Sequence, residues 1–171
     1  PRITKWRWLT PERACMTGYY TLLFVHYTGV ILLVGNITVT AVWKVFANRT
    51  GDARIIAFGQ RLVTGTDFGL TIPGIVLTMA GGYGAAILMG YPLFEDFWLI
   101  ASQALFVLAG LIWLGILVPI QIKQARIARG FENGGEVPVE YRALSRRWIT
   151  WGLISTVPMV AVLWLMVAKP V

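Results

Sequence analysis

FWLIASQALFVLAGLIWLGILVPIQI, residues Phe97 to Ile122, decides the fold class. It carries no charged side chain and is longer than the roughly 20 apolar residues that a helix needs to cross a bilayer. It lacks the period-two alternation of a barrel strand and far exceeds the about 9–11 residues of one. Outward from it, Gly18 to Trp43, Leu62 to Leu88 and Trp148 to Ala168 meet the same requirement. The second of the four spans contains one Asp and the first one His; the other two are uncharged. The fold expected is an all-α membrane protein, a bundle of four transmembrane helices at about 18–43, 62–88, 97–122 and 148–168. Together they make one transmembrane domain, 18–171, preceded by a short basic interfacial segment, 1–17.

Composition excludes most other classes. Of 171 residues, 57% are hydrophobic and only 13% charged, half the roughly 25% of a soluble domain. Mean hydropathy is +0.67, which rules out a disordered chain, and the single Cys15 cannot form an intramolecular disulfide. The 15 Lys and Arg against 8 Asp and Glu flank apolar spans, where they meet anionic headgroups rather than nucleic acid. Membrane lipids are therefore the expected partners, with other membrane subunits or a homo-oligomer as further ones and no nucleic acid. Arg2, Lys5, Arg7 and Arg13 mixed with Trp6 and Trp8 read as a segment lying in the headgroup layer.

The connections set the orientation. Lys44 to Arg61 reads as a loop with four basic residues, Met89 to Asp96 as one with none, and Lys123 to Arg147 as one with six. The positive-inside rule then puts the first and third loops in the cytoplasm. Trp43, Trp98, Trp148 and Trp151 read as interfacial anchors.

His26 is the only histidine and lies about 12 Å into the first span at about 1.5 Å per residue. An ionisable side chain at that depth must face protein or a cavity, which marks it as functional. Its helical face continues through Gly29, Leu33, Asn36 and Thr40. The second span carries a sharper stripe: Thr64, Asp67, Thr71, Gly74, Thr78 and Gly81, all small or polar, while Leu and Ile fill the other positions. Pro73 removes a backbone donor there and disturbs the turn near Gly69. Depth matching places His26 level with Pro73 and Gly74, with Ser102 and Gln103, and with the fourth span near Pro158 to Val160. Asp67 falls nearer Asn36 and Thr40, so His26 and Asp67 mark two levels of one polar seam. Arg61, close in depth to Asp67, is its expected charge partner. Gly81, Gly82 and Gly84 read as close helix packing, with a flat cofactor as the alternative.

Neutral imidazole ligates haem iron. One His leaves bis-His ligation within the chain excluded, with Met79 and Met159 as candidate second ligands. The bland alternative is a histidine hydrogen-bonded inside a bundle for packing alone. No metal cluster, nucleophilic triad or phosphate loop accompanies it.

His26 with Gly29, Arg49-Thr50-Gly51-Asp52, Asp67 with Thr71-Ile72-Pro73, Trp98-Leu99-Ile100-Ala101-Ser102, Val118-Pro119-Ile120-Gln121 and Trp164 to Pro170 form a specific set. Over Tyr20 to Pro170 the chain resembles an uncharacterised family of predicted bacterial integral membrane proteins, domain of unknown function 2269. That family is distantly similar to HemJ-type protoporphyrinogen oxidases and CopD-type copper-resistance membrane proteins. His26, Pro73 and Lys169-Pro170 match HemJ-type positions, and the resemblance implies haem b at His26. The HemJ-type lysine of helix three falls on Ser102 here, and an Asn-Glu pair falls on Ser155-Thr156. The resemblance thus implies a haem site without implying protoporphyrinogen oxidation.

The sequence reading is a protein of the bacterial inner membrane, haem- or tetrapyrrole-associated and redox-active, with His26 as axial ligand. Gly29, Asn36, Arg61, Asp67, Thr71, Pro73, Ser102 and Gln103 surround that cofactor in this reading. Its rival is a non-catalytic accessory subunit of a larger membrane complex; a third reading, an ion or small-solute carrier dependent on Asp67, finds no inverted repeat to encourage it.

Overall fold

The computed structural model describes residues 11–170, folded as four long helices: α1 (Pro11–Thr50), α2 (Ala53–Leu88), α3 (Phe97–Ala128) and α4 (Val139–Ala168). No strand occurs among the described residues. Each helix contains a window long and apolar enough to cross a membrane. The expected interfacial segment falls on residues 1–10, outside the described residues, and on 11–17, which are already part of α1.

The helices overrun the apolar spans because charge does not terminate a helix; capping does. Gly51, at φ +70°, provides the left-handed turn after α1. Asp52 then caps α2, its Oδ1 accepting from the backbone N–H of Arg54 at 2.8 Å and of Ile55 at 3.2 Å. The stretch Lys44 to Arg61, read as a loop, is thus helical apart from this tight turn. The third connection shrinks likewise to residues 129–138, where Gly134 and Gly135 take positive φ.

Two helices widen into π turns, at Asp67–Thr71 and Trp113–Leu117. Each precedes a proline, Pro73 or Pro119. Proline has no N–H, so the carbonyls of Gly69 and Gly115 lose their usual donors, and a wider turn absorbs the mismatch. Pro73 itself faces outward.

Burial is inverted relative to a soluble bundle. Phe24, Ile31, Leu111, Leu153 and Val167 are exposed on the outside, where lipid tails receive them. Asn36, Lys44, Gln60, Asp67, Gln121 and Gln124 are inside. Helices α1 and α2 pack with almost touching backbones. A side chain at Gly29 would collide with the backbone of Thr78, and one at Gly81 with the backbone of His26; a Cβ on Gly74 would lie 2.9 Å from the Leu33 nitrogen. These small residues let the helices approach without a hydrophobic driving force. Gly81 and Gly84 are therefore packing glycines: a Cβ on Gly84 would meet Leu22 at 2.9 Å.

The bundle has two ends of different character. At the basic end, Ala53, Ile56 and Ala57 pack on Ala128, Phe131, Val137 and Tyr141. At the opposite end, all four helices and the 89–96 connection enclose a pocket.

Candidate functional site

The pocket has a volume of about 330 Å³, at the lower end of the roughly 300–1,000 Å³ of ligand sites. His26, Thr78, Ser102, Gln103 and Met159 line it among aliphatic and aromatic side chains. Tyr27, Val107 and Val167 belong to its wall and are exposed, so it opens sideways toward lipid.

The His26 ring is fixed by α2. Its Nδ1 lies 2.7 Å from the Thr78 carbonyl oxygen. A carbonyl only accepts, so Nδ1 carries the proton and donates. The neutral ring then keeps its lone pair on Nε2. Gly82 makes room for the ring: a Cβ there would stand 2.8 Å from Nδ1 and 3.1 Å from Cε1. His26 therefore pairs in level with Thr78, Gly81 and Gly82, not with Pro73 and Gly74 as depth matching had it. The reason is that α1 and α2 extend beyond the apolar runs from which depth was counted.

On α3, Ser102 is buried, and its Oγ has no hydrogen-bond partner among the described residues. The Thr78 hydroxyl is likewise buried without a partner. Gln103 is fully engaged: its Nε2 donates to the carbonyls of Leu93 at 2.8 Å and Leu99 at 3.1 Å, and its Oε1 accepts from Tyr83 at 2.8 Å. It holds the 89–96 connection against the pocket. At the rim, exposed Lys169 places its Nζ 5.2 Å from the Trp98 ring centre and 5.6 Å from that of Tyr91. Trp98 is thus part of the pocket wall as well as a residue near a span end.

The other expected residues occupy a second, deeper level. Asn36 Nδ2 donates to Asp67 Oδ1 at 3.0 Å and to Thr71 Oγ1 at 2.9 Å. All three are buried, and Gln121 and Trp113 reach the carboxylate from α3. Asp67 opens the π turn, so the widened backbone turns its side chain into the bundle. Gly29 packs against α2 between the two levels. Pro73 faces outward and shapes the helix without lining either level.

Three expectations are corrected. Arg61 is not the partner of Asp67: it is exposed and forms an ion pair with Glu132 at 2.7 Å. Helix α2 continues through Arg61, and its position there points to the 129–138 connection rather than to the seam. Lys44 is not a loop cation. It is buried, donating to Gln60 Oε1 and, at 3.5 Å, to the Tyr141 hydroxyl. Its Nζ lies 5.4 Å from the Tyr141 ring centre and 5.2 Å from that of Trp148. Trp148, read as an anchor, is buried too and donates to Gln121 Oε1 at 3.2 Å.

Sequence reasoning therefore missed Lys44, Gln60, Gln121, Gln124 and Tyr141. A signal was present: the stripe His26, Gly29, Leu33, Asn36, Thr40 reaches Lys44 at the next spacing of four. Carried backwards, the α2 stripe from Thr64 reaches Gln60 in the same way.

Four long apolar helices around a polar interior define an integral membrane protein. The chain matches, over residues 20–170, the family described as predicted integral membrane protein (DUF2269), and it belongs to that family. No curated protein and no solved structure matches it.

Proposed function

We propose that the pocket holds a haem-type tetrapyrrole, haem b, with His26 as axial ligand, in a redox-active protein of the bacterial inner membrane. The observation that carries this reading is the Nδ1–H bond to the Thr78 carbonyl. Metal-ligating histidines characteristically donate their second nitrogen to a carbonyl or carboxylate, which fixes the ring and leaves the other nitrogen free. His26 has this arrangement within a largely apolar cavity.

The remaining donor set fits the group. Lys169 at the rim offers a cation to acidic substituents of an otherwise apolar ring. Tyr91 and Trp98 supply flat walls, and Met79 and Met159 offer thioethers within the same cavity. Haem iron, when bound, supplies one-electron redox chemistry. The chain's own part is to orient the imidazole, exclude water with aliphatic walls and present one cation at the mouth. Under this reading the basic end, carrying Arg49, Arg54, Arg129, Arg142, Arg146 and Arg147, faces the cytoplasm.

The test is the visible absorption spectrum of the protein purified from membranes. A Soret band that is lost in His26→Ala and retained in Arg61→Gln is the expected result. A featureless wild-type spectrum, with the chain bound to stoichiometric partner subunits, overturns it in favour of an accessory subunit.

A further inference from the structure

Four buried side-chain polar atoms lack a hydrogen-bond partner among the described residues: Thr78 Oγ1, Ser102 Oγ, and both Nε2 and Oε1 of Gln124. They do not scatter. Thr78 and Ser102 line the His26 pocket. Gln124 lies on the buried face of α3 between Gln121, which accepts from Trp148, and Ala128, which packs in the Tyr141 cluster. Trp148 and Tyr141 are the two rings that flank the Lys44 ammonium. Gln124 therefore sits at the level of Lys44, and its two orphaned atoms require partners there. An amide left bare in a bilayer interior is costly, and ordered water is what ordinarily satisfies such a group.

Lys44 and Asp67 are the buried ionisable pair of this end. They act on one another electrostatically but make no direct ion pair; among the described residues, the ion pairs are Arg61 with Glu132 and Lys123 with Glu140. Gln60 accepts from Lys44 and Gln121 reaches Asp67, so amides adjoin both charges. Beyond Asp67, the floor of the His26 pocket reaches Leu33 and Val34. Asn36, which donates to Asp67, is about one helical turn further along α1, some 3–5 Å of rise. A single apolar layer at Leu33 thus separates the charged level from the pocket. Toward the basic end, the half-buried bond from Asn48 to Ser145, at 2.7 Å, lies one turn beyond Lys44.

We propose that the seam is a proton path, hydrated at Gln124 and at Thr78 and Ser102, that runs from the basic end through Lys44 and Asp67 to the His26 pocket. Ionisable residues buried within membrane spans mark such relays. In the central step, an N–H bond of the Lys44 ammonium breaks as an O–H bond forms on a bridging water. That water gives up another of its protons to the Asp67 carboxylate. A neutral amine and a carboxylic acid result, with no change in total charge. Lys44 then takes a proton from water of the basic end, Asp67 releases one to water on the pocket side, and both charges are restored. The inference goes beyond the tetrapyrrole reading and does not rest on it, since Lys44, Asp67 and Gln124 lie outside the pocket lining.

The test is proton flux into liposomes of phosphatidylcholine and phosphatidylglycerol carrying the purified protein. A valinomycin-imposed potassium potential drives the flux, and an enclosed pH dye reports it. Wild-type vesicles are expected to take up protons well above protein-free ones. Asp67→Asn removes the acid and brings the flux to the protein-free level, while Asp67→Glu restores it. Gln124→Leu removes two hydrogen-bonding atoms at nearly constant volume and slows the flux about tenfold. Leu33→Ala thins the apolar layer and raises it, and adding Asp67→Asn abolishes the gain, which a leak through misfolded protein would not allow. Wild-type flux equal to that of empty vesicles overturns the proposal, as does flux unchanged in folded Asp67→Asn and Gln124→Leu proteins. The flux and the absorption spectrum are independent, so the path and the tetrapyrrole site fail or stand separately.

Discussion

The two ends of the bundle solve the problem of a polar group in lipid in opposite ways. Around His26 one ring is tied to one carbonyl, and the rest of the chamber is largely apolar and open at the side. Around Lys44 and Asp67, ammonium, carboxylate, amides and a phenol are buried away from bulk solvent. The first arrangement keeps a ring nitrogen available. The second keeps two charges away from bulk solvent and within electrostatic reach of each other. The pocket end leaves open space beside a ring, and the basic end holds charge.

That contrast is broken most forcefully by removing one charge. Asp67→Leu leaves Lys44 buried without its opposite charge and takes from Asn36 Nδ2 one of its two acceptors. Loss of one member of a buried pair costs about 3–5 kcal/mol. In detergent micelles the Asp67→Leu protein should unfold at a much lower temperature than wild type. Adding Lys44→Met should recover a large part of the loss, because apolar replacement of both members of such a pair is close to neutral. A double-mutant cycle without that recovery would show that the two residues act separately. By contrast, His26→Ala deletes a half-buried ring bonded to one carbonyl and should cost far less stability than Asp67→Leu.

The next effect tests the glycine seam that joins the levels. Gly29→Val places atoms onto the Thr78 backbone, which belongs to the helix and cannot swing aside. Overpacking of this kind costs about 1–3 kcal/mol, read as a lower unfolding midpoint. Gly35 has nothing within 4 Å of its virtual Cβ, so Gly35→Ala should leave the midpoint within measurement error of wild type or raise it slightly. Equal loss at the two glycines would mean that α1 does not meet α2 along the Gly29 face.

These residues also show why the two ends were not equally legible. His26 stands deep in an otherwise uncharged run, so its ionisable ring announces itself, and the small-polar stripe of α2 announces the face toward α1. Lys44 stands where the apolar run stops, and a cation at that place ordinarily belongs to the headgroup layer. Nothing in the local composition separates a lysine reaching out to phosphate from one folded back onto Gln60 and Tyr141, residues 16 and 97 positions away in the chain. What distinguishes them is helix phase: Lys44 keeps the face of Asn36 and Thr40, and Arg49 does not. Arg61 misled for the same reason. Its sequence proximity to Asp67 suggested a pair, but the six-residue separation places the two side chains on different faces of a 3.6-residue helix. The two π turns were legible only as a disturbance before Pro73; that the disturbance would turn Asp67 inward depends on packing against α3.

A smaller change sharpens the pocket side. Gly82→Ala sets a methyl 2.8 Å from His26 Nδ1 and 3.1 Å from Cε1. The ring must rotate or its bond to Thr78 must lengthen. If His26 is an axial ligand, the variant's Soret maximum should shift or its intensity fall, while the unfolding midpoint changes little. An identical spectrum in Gly82→Ala and wild type would separate the absorbing group from this ring.

The smallest effect is expected where an ion pair looks best on paper. Arg61 and Glu132 meet at 2.7 Å, but their side chains are 55% and 36% exposed. Water and salt screen such a pair, which contributes about 0–1 kcal/mol. Arg61→Gln should therefore shift the unfolding midpoint by no more than a degree or so, with the shift shrinking further as salt is raised. It should alter neither the spectrum nor the proton flux, because Arg61 joins α2 to the 129–138 connection and touches neither level of the seam. An Arg61→Gln protein that lost flux as completely as Asp67→Asn would place this arginine on the path after all and move the entry from the Asn48–Ser145 side to the outer face of α2.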